Sequence, residues 1–362
     1  MFETTHRGRR PERVAVIGAG IAGLACAQAL AHQGVHVALF DKARGPGGRM
    51  ASKRRPGAVF DLGAQTFTAR DARFQALVAS LEQEGVIARW PSVSYRVNDD
   101  GGWTPLADGK PRYAGAPRMS AITFALSDRL TRSGHVTSRF ETRIRALQKS
   151  PGDKQVWRLV SDTGEVFGPF DTVVITAPPP QAQTLLDEWD TALANACAEK
   201  PQRSCWVAWV RFETPLPALD GIARWETLHA HHPALRLVSR NQTKPGREAQ
   251  PESLSLLAQL DWSDAYLERP PEEAACALYA AFRSRLPAGI TLPNITDLGA
   301  HRWRYAQTKE PSRESYLYSA QGLALCGESF RGSRVEDAWL SGHELGKALV
   351  ALPTGYRNKT PV

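Results

Sequence analysis

Three glycines define the chemistry open to this chain. Gly18, Gly20 and Gly23 follow the apolar run Val14-Ala15-Val16-Ile17 at G-x-G-x-x-G spacing, with Ala19, Ile21 and Ala22 between them. Gly18 permits a tight turn, Gly20 lets backbone approach a pyrophosphate, and Gly23 lets the next helix pack closely on the strand. That helix presents free N–H groups and its positive dipole end to phosphate. A second apolar run, His36 to Phe40, ends in Asp41, 18 residues after Gly23, where a carboxylate can meet a ribose hydroxyl. A plain glycine turn in a βαβ unit shares part of this pattern. Strand, helix, second strand and acid in register point to a dinucleotide, without saying which one or what reaction.

Four further segments bear on the cofactor. Asp41-Lys42 leads into Gly47-Gly48-Arg49, where small residues allow close approach and a guanidinium can neutralise pyrophosphate with paired donors. Asp61-Leu62-Gly63-Ala64-Gln65 offers backbone that can pass against a flat ring. Val173 to Pro178 reads as a buried strand. Cys326-Gly327-Glu328 ends another, and a helix from Val335 follows. Glu328 can hydrogen-bond a hydroxylated chain, and the helix N-terminus can stabilise negative charge on a ring carbonyl. The same segment is also consistent with a capped helix that binds nothing. No nucleophile with an adjacent base, no C-x-x-C and no metal-ligand spacing is present among the five cysteines.

The elements that must position these residues follow from periodicity. A βαβ unit spans about 13 to 41. Helical spacing recurs at 71–84, 120–133, 272–286 and 335–349. Alternation and turns between Trp90 and Tyr113 predict hairpins, and strands are expected near 135–147, 156–161, 170–177, 206–212, 236–239, 253–260 and 323–326. Pro178-Pro179-Pro180 reads as a strand stop, and 242–251 as an exposed loop. This order predicts an α/β fold: a Rossmann-like dinucleotide domain with an inserted domain of mixed β-sheet plus helix. The expected boundaries are a disordered leader at 1–12, a dinucleotide domain of 13–90, 134–180 and 296–352, a substrate domain of 91–133 and 181–295, and a tail at 353–362.

At 362 residues with 42% hydrophobic content, the chain has room for both domains. No apolar run reaches the length of a membrane span, and the Arg-rich first residues lack a signal peptide's apolar core. The net charge of +8 is dispersed, so no nucleic-acid partner and no membrane partner is expected. Part of that charge can attract an anionic cofactor and substrate. The cysteine pattern fits a reducing cytoplasm.

On these residues the chain resembles the flavin amine-oxidase superfamily and, within it, the renalase family. The likeness is carried by Val14–Leu24, by Asp41-Lys42 with Gly47-Gly48-Arg49-Met50, by Asp61-Leu62-Gly63-Ala64-Gln65, by His301-Arg302-Trp303-Arg304-Tyr305, and by Gly327 with the Val335 helix. It covers nearly the whole chain and is thinnest over 181–235. The resemblance implies a fold of the p-hydroxybenzoate hydroxylase and amine-oxidase type holding non-covalent FAD. It also implies oxidation of 1,2- or 1,6-dihydro isomers of NAD(P)H, with hydride passing to flavin N5 and dioxygen yielding hydrogen peroxide. Direct transfer needs proximity and orientation and no catalytic side chain.

By family position, Gly18, Ala19, Gly20, Ile21, Ala22, Asp41, Lys42, Gly48, Arg49, Gly63, Ala64, Ile144, Gly327, Glu328 and Val335 should touch FAD. Phe67, Thr68, Ala69, Arg70 and Cys205 should line a nicotinamide pocket. Trp303 and Tyr305 read either as its wall or as core. Arg70, Arg302 and Arg304 read either as phosphate ligands or as surface. The chain departs from the family in carrying Glu328 where an Asp is usual. It also has no clear equivalent of the amine-oxidase lysine beyond Lys309, in a segment that reads as exposed. A flavin amine oxidase or desaturase, and a non-catalytic FAD-binding module, are the alternatives.

Overall fold

The computed structural model describes residues 9–91, 93–107, 109–150, 156–222, 224–249, 251–310 and 314–353. Most of the expected leader, and the tail beyond Pro353, lie outside the described residues. The chain packs as two units, one of 1–48, 123–201 and 310–362, the other of 49–122 and 202–309.

The first unit is built on a six-stranded sheet. Its order is Tyr316–Tyr318, Leu323–Cys326, Thr172–Ile175, Arg13–Ile17, His36–Phe40, Val136–Arg139. All neighbours are parallel except the edge strand Tyr316–Tyr318. Val14, Ala15 and Val16 are fully buried, as a central strand covered on both faces must be. The helix Ile21–Ala31 returns from this strand to His36–Phe40 and is buried at ten of its eleven positions. It is covered by the helix Val335–Ala351, and two glycines let the pair close. A Cβ at Gly342 would lie 2.0 Å from the Ala22 carbonyl oxygen, and one at Gly346 2.7 Å from the Ala29 Cβ. An antiparallel three-stranded sheet, Ile144–Lys149, Trp157–Ser161 and Val166–Phe170, shares a core with the helices Pro179–Leu186 and Thr191–Ala198.

The second unit holds a seven-stranded sheet: Ile295–Thr308, Gln202–Phe212, Ser253–Ala258, Leu235–Arg240, Thr227–His229, Ser94–Val97, Trp103–Pro105. Trp206, Ala208, Val210, Leu254, Leu256 and Ala258 share a core with Ala274, Leu278 and Phe282 of the helix Pro271–Arg283. The opposite face carries Val207, Trp209, Leu237, Leu257 and Trp303, packed with Phe60 and Leu62.

Packing divides the chain elsewhere than at the boundaries read from composition. Residues 296–309 group with the second unit because Ile295–Thr308 is hydrogen-bonded along its length to Gln202–Phe212, and 49–90 because Phe60 and Leu62 pack against the same sheet. Residues 181–201 group with the first because their two helices complete its core. The prolines at 178–180 stop the strand and also start a helix: Pro179 and Pro180 occupy its first turn, where a missing N–H costs nothing.

Candidate functional site

The turn after Arg13–Ile17 is shaped by contacts that exclude side chains. Gly18 has φ +113, and a Cβ there would lie 2.3 Å from the Thr176 hydroxyl oxygen. At Gly23 a Cβ would lie 1.9 Å from the Gly18 carbonyl oxygen, so helix and strand meet backbone to backbone. Gly20 differs, since a Cβ there meets nothing within 4 Å. Open space stands in front of the first turn of Ile21–Ala31, which has no side-chain cap and no acid. Its N–H groups are left to an incoming acceptor. Ala19 is buried within the turn, and its carbonyl oxygen accepts from the Gly47 N–H at 3.1 Å. Gly48 opens the short helical turn Gly48–Met50, and its Cβ position is 3.3 Å from the Gly20 Cα.

Asp41 sits where its carboxylate serves this loop. Oδ2 accepts from the Ala19 N–H at 2.7 Å and Oδ1 from the Ala43 N–H at 2.8 Å. Each oxygen keeps a lone pair for a hydroxyl. Lys42 is 3.4 Å from the Gln181 amide oxygen. Burial first, and Arg143 second, lower its pKa, which marks crowded positive charge beside the loop. Ile144 is 8% exposed and packed in the core with Leu147, Trp157 and Phe167, so it has backbone rather than side chain to offer.

The late segment is built with similar economy. Gly327 has φ +138 with open space at its Cβ position, and its N–H donates to the Ser341 hydroxyl at 2.7 Å. Glu328 is buried and accepts from the Ser329 hydroxyl at 2.8 Å. Val335 starts the 17-residue helix. Its first turn holds two acids, Glu336 and Asp337, of which Asp337 forms a two-point pair with Arg334 at 2.7 and 2.8 Å.

In the second unit the Asp61–Gln65 segment is pinned at every residue. Gly63 admits no side chain, because a Cβ would lie 1.9 Å from the Arg49 carbonyl oxygen. The Ala64 N–H donates to that same oxygen at 3.1 Å. The Gln65 amide donates to the Asp61 and Gly63 carbonyl oxygens at 2.7 and 3.0 Å. The Leu62 carbonyl oxygen accepts from the Trp303 indole at 2.8 Å. The Asp61 carboxylate is fully buried. Oδ1 accepts from the Ser52 hydroxyl and the Met119 N–H, and Oδ2 from Lys244 at 2.8 Å and from Arg247. Although burial opposes its charge, Lys244 and Arg247 hold the Asp61 carboxyl well below the usual carboxylate range. Burial lowers Lys244 to about 8 against the pull of Asp61.

Lys244 and Arg247, which hold the Asp61 end of this candidate segment, are absent from the residues read from sequence. They lie in the stretch read as an exposed loop, yet their side chains are 0% and 4% exposed. Nothing in Lys244-Pro245-Gly246-Arg247 announces burial, and the only signal was an acid in the Asp61 block with no partner assigned.

The residues read as a substrate pocket are also in the second unit. Phe67 is buried, bridged to Tyr113 and stacked against it at 5.8 Å, with Phe74 at 5.9 Å. Its ring is therefore committed to packing, whereas Thr68 and Ala69 are half-buried and Arg70 is exposed. Cys205 lies directly opposite Trp303 in the sheet, its thiol 3.4 Å from the Trp206 carbonyl oxygen. Burial raises its pKa, which makes it an inert surface and not a thiolate. Tyr305 follows Trp303 on the same strand face and is half-buried. His301 is on that face too, 4.5 Å from the Trp303 ring, and burial, then Lys53, hold it toward the neutral form. Arg302 and Arg304 alternate to the other face and pair with Glu268 at 2.7 and 2.8 Å, the surface outcome of their two readings. Lys309 is exposed, as its segment predicted. Among the described residues no cluster of potential metal ligands is found, and no helix is long and apolar enough to cross a membrane.

Two family models match the chain. An NAD(P)-binding Rossmann-like domain covers 16–81, and a flavin-containing amine oxidoreductase covers 118–345. Among curated proteins, hydroxyneurosporene desaturase of Rubrivivax gelatinosus is 45% identical over 89 residues, 22% of this chain and 17% of that protein. Mitochondrial protoporphyrinogen oxidase of Nicotiana tabacum is 40% identical over 70 residues, 19% of this chain and 14% of that protein. These matches span less than a fifth of each relative. Among solved structures, one from Exiguobacterium sp. 255-15, provisionally assigned as a protoporphyrinogen oxidase, superposes with TM-score 0.71 at 14% identity, covering 95% of this chain and 99% of that one. Putrescine oxidase bound to putrescine gives 0.67 at 13%, covering 94% and 99%. At such identities the structures speak for the fold.

Proposed function

The chain belongs to the flavin-containing amine oxidoreductase family, and from that premise we propose that it is a renalase-type oxidase of dihydronicotinamide dinucleotides. FAD is its cofactor. The residues present suit FAD: the space at Gly20 lies where any side chain would block the uncapped helix, and crowded cations at Lys42 and Arg143 draw an anion. Bound FAD supplies the acceptor for a hydride and returns two electrons to dioxygen, so that dihydro-NAD(P), dioxygen and a proton give NAD(P)+ and hydrogen peroxide.

Gly18, Gly20 and the helix from Ile21 hold the pyrophosphate, assisted by Arg49. Asp41 takes ribose hydroxyls. Glu328 and the Val335 helix serve the ribityl and ring end, and Gly63 and Ala64 supply backbone against the ring.

The observation that carries the substrate reading is the chemistry of the face bearing Cys205, Trp303 and Tyr305. It combines a protonated thiol, an indole fixed by Leu62 and a histidine held toward neutrality, and it offers flat contact area without a strong base. A dihydropyridine ring releases hydride without losing a proton to the protein, so orientation suffices. The likeness to hydroxyneurosporene desaturase covers only 22% of this chain. In steady state the purified protein should form NAD(P)+ and hydrogen peroxide one to one from borohydride-generated dihydro isomers. Peroxide from amines alone contradicts the proposal.

A further inference from the structure

Two buried cations serve one carboxylate beneath the segment assigned to the flavin. Lys244 donates to Asp61 Oδ2 at 2.8 Å and to Gln65 Oε1 at 3.0 Å, and its ammonium lies 5.3 Å from the centre of the Trp90 ring. It therefore ties the first residue of Asp61–Gln65 to the last. Arg247 reaches Asp61, the Asn241 amide oxygen at 3.0 Å, the Val59 carbonyl oxygen at 3.2 Å and the Pro117 carbonyl oxygen at 2.7 Å. Asp61 has no acceptor capacity left, since Ser52 and Met119 take its other oxygen. Holding a loop requires one cation per carboxylate. A second buried cation costs desolvation free energy and leaves the cluster net positive. That excess suits an anionic, electron-rich ligand lying against the loop.

We infer that Lys244 is a positioning residue for FAD, which as a cation locks Asp61–Gln65 so that the Gly63 and Ala64 backbone receives the flavin ring. The inference rests on the assignment of that backbone to the flavin. The charged groups beside Lys244 are Asp61 and Arg247, and its neutral neighbours are Gln65 and the Trp90 ring. With Lys244 lowered to about 8, its protonation changes within an accessible pH range.

The test measures FAD affinity of apo wild type and Lys244→Met at pH 7 and pH 9.5, with circular dichroism to check folding. Wild type should bind FAD at least tenfold more tightly than the variant at pH 7. Wild type should lose most of that advantage at pH 9.5, where the variant changes little. A folded variant with wild-type affinity at both pH values overturns the inference. So does a weaker variant that keeps the wild-type pH profile, because the loss is then only structural. If Lys244→Met does not fold, Gln65→Leu, which keeps the ion pair, should weaken FAD at least threefold, and unchanged affinity overturns the inference. A wild type that takes up no FAD fails differently, removing the flavin assignment itself.

Discussion

Replacing Asp61 by Asn leaves two buried cations facing a neutral amide. Breaking a buried ion pair by removing one partner costs about 3–5 kcal/mol, so Asp61→Asn should lose about that much in urea unfolding at pH 7. The pH dependence has a definite sign. The folded-state pKa of Asp61 is depressed, so its contribution is present above the unfolded carboxylate value of about 4 and fades as pH falls below it. The gap between wild type and variant should narrow on the acid side of that value, and again as pH rises through about 8, where Lys244 loses its charge. The glycine loop separates binding from folding in the same way. Gly20→Val should weaken FAD at least tenfold with little change in apo-protein melting, because its side chain enters open space. Gly18→Val should lower the melting temperature itself, from strain at φ +113 and the Thr176 contact. Gly18, Gly20 and Asp41 were legible in sequence because a turn, an open approach and an acid recur at fixed spacing. Lys244 was not, because the partner that makes its burial tolerable lies 183 residues away.

The pairing of Ile21–Ala31 with Val335–Ala351 sets where the uncapped N-terminus points. A methyl at Gly342 would press on the Ala22 carbonyl, in the first turn of the uncapped helix proposed to hold the pyrophosphate. Gly342→Ala should cost about 1–3 kcal/mol by overpacking and reduce FAD retention in parallel. Calorimetry and the flavin absorbance of the purified variant check both effects. Helices at 72–83, 121–132, 271–283 and 335–351 were legible from apolar periodicity. The helices at 179–186 and 191–198 were hidden, one behind prolines that start it and the other by its short length. Ile295–Thr308 escaped because thirteen of its fourteen residues are half-buried or exposed, so hydrophobic alternation is weak along its length.

At the scale of the whole molecule, the division of labour follows from two kinds of sheet. Parallel strands buried on both faces end in a glycine turn and an uncapped helix, which suits a phosphate. A mainly antiparallel sheet, with one parallel pair between Thr227–His229 and Ser94–Val97, is covered by Pro271–Arg283 on one face and gives its other face to Cys205, Trp303 and Tyr305. Fold class was legible because these two patterns differ in hydrophobic period. The substrate was not, since aromatic and aliphatic surface specifies shape rather than identity. The most direct test of the central claim is therefore anaerobic stopped-flow reduction of the FAD-loaded protein. Purified 1,2- and 1,6-dihydro-NAD(P) isomers, ordinary NADH and a panel of amines are mixed separately, and flavin bleaching is followed. Rapid bleaching by at least one isomer is expected, with NADH and the amines at least a hundredfold slower. Bleaching by an amine and by neither isomer would contradict the central claim.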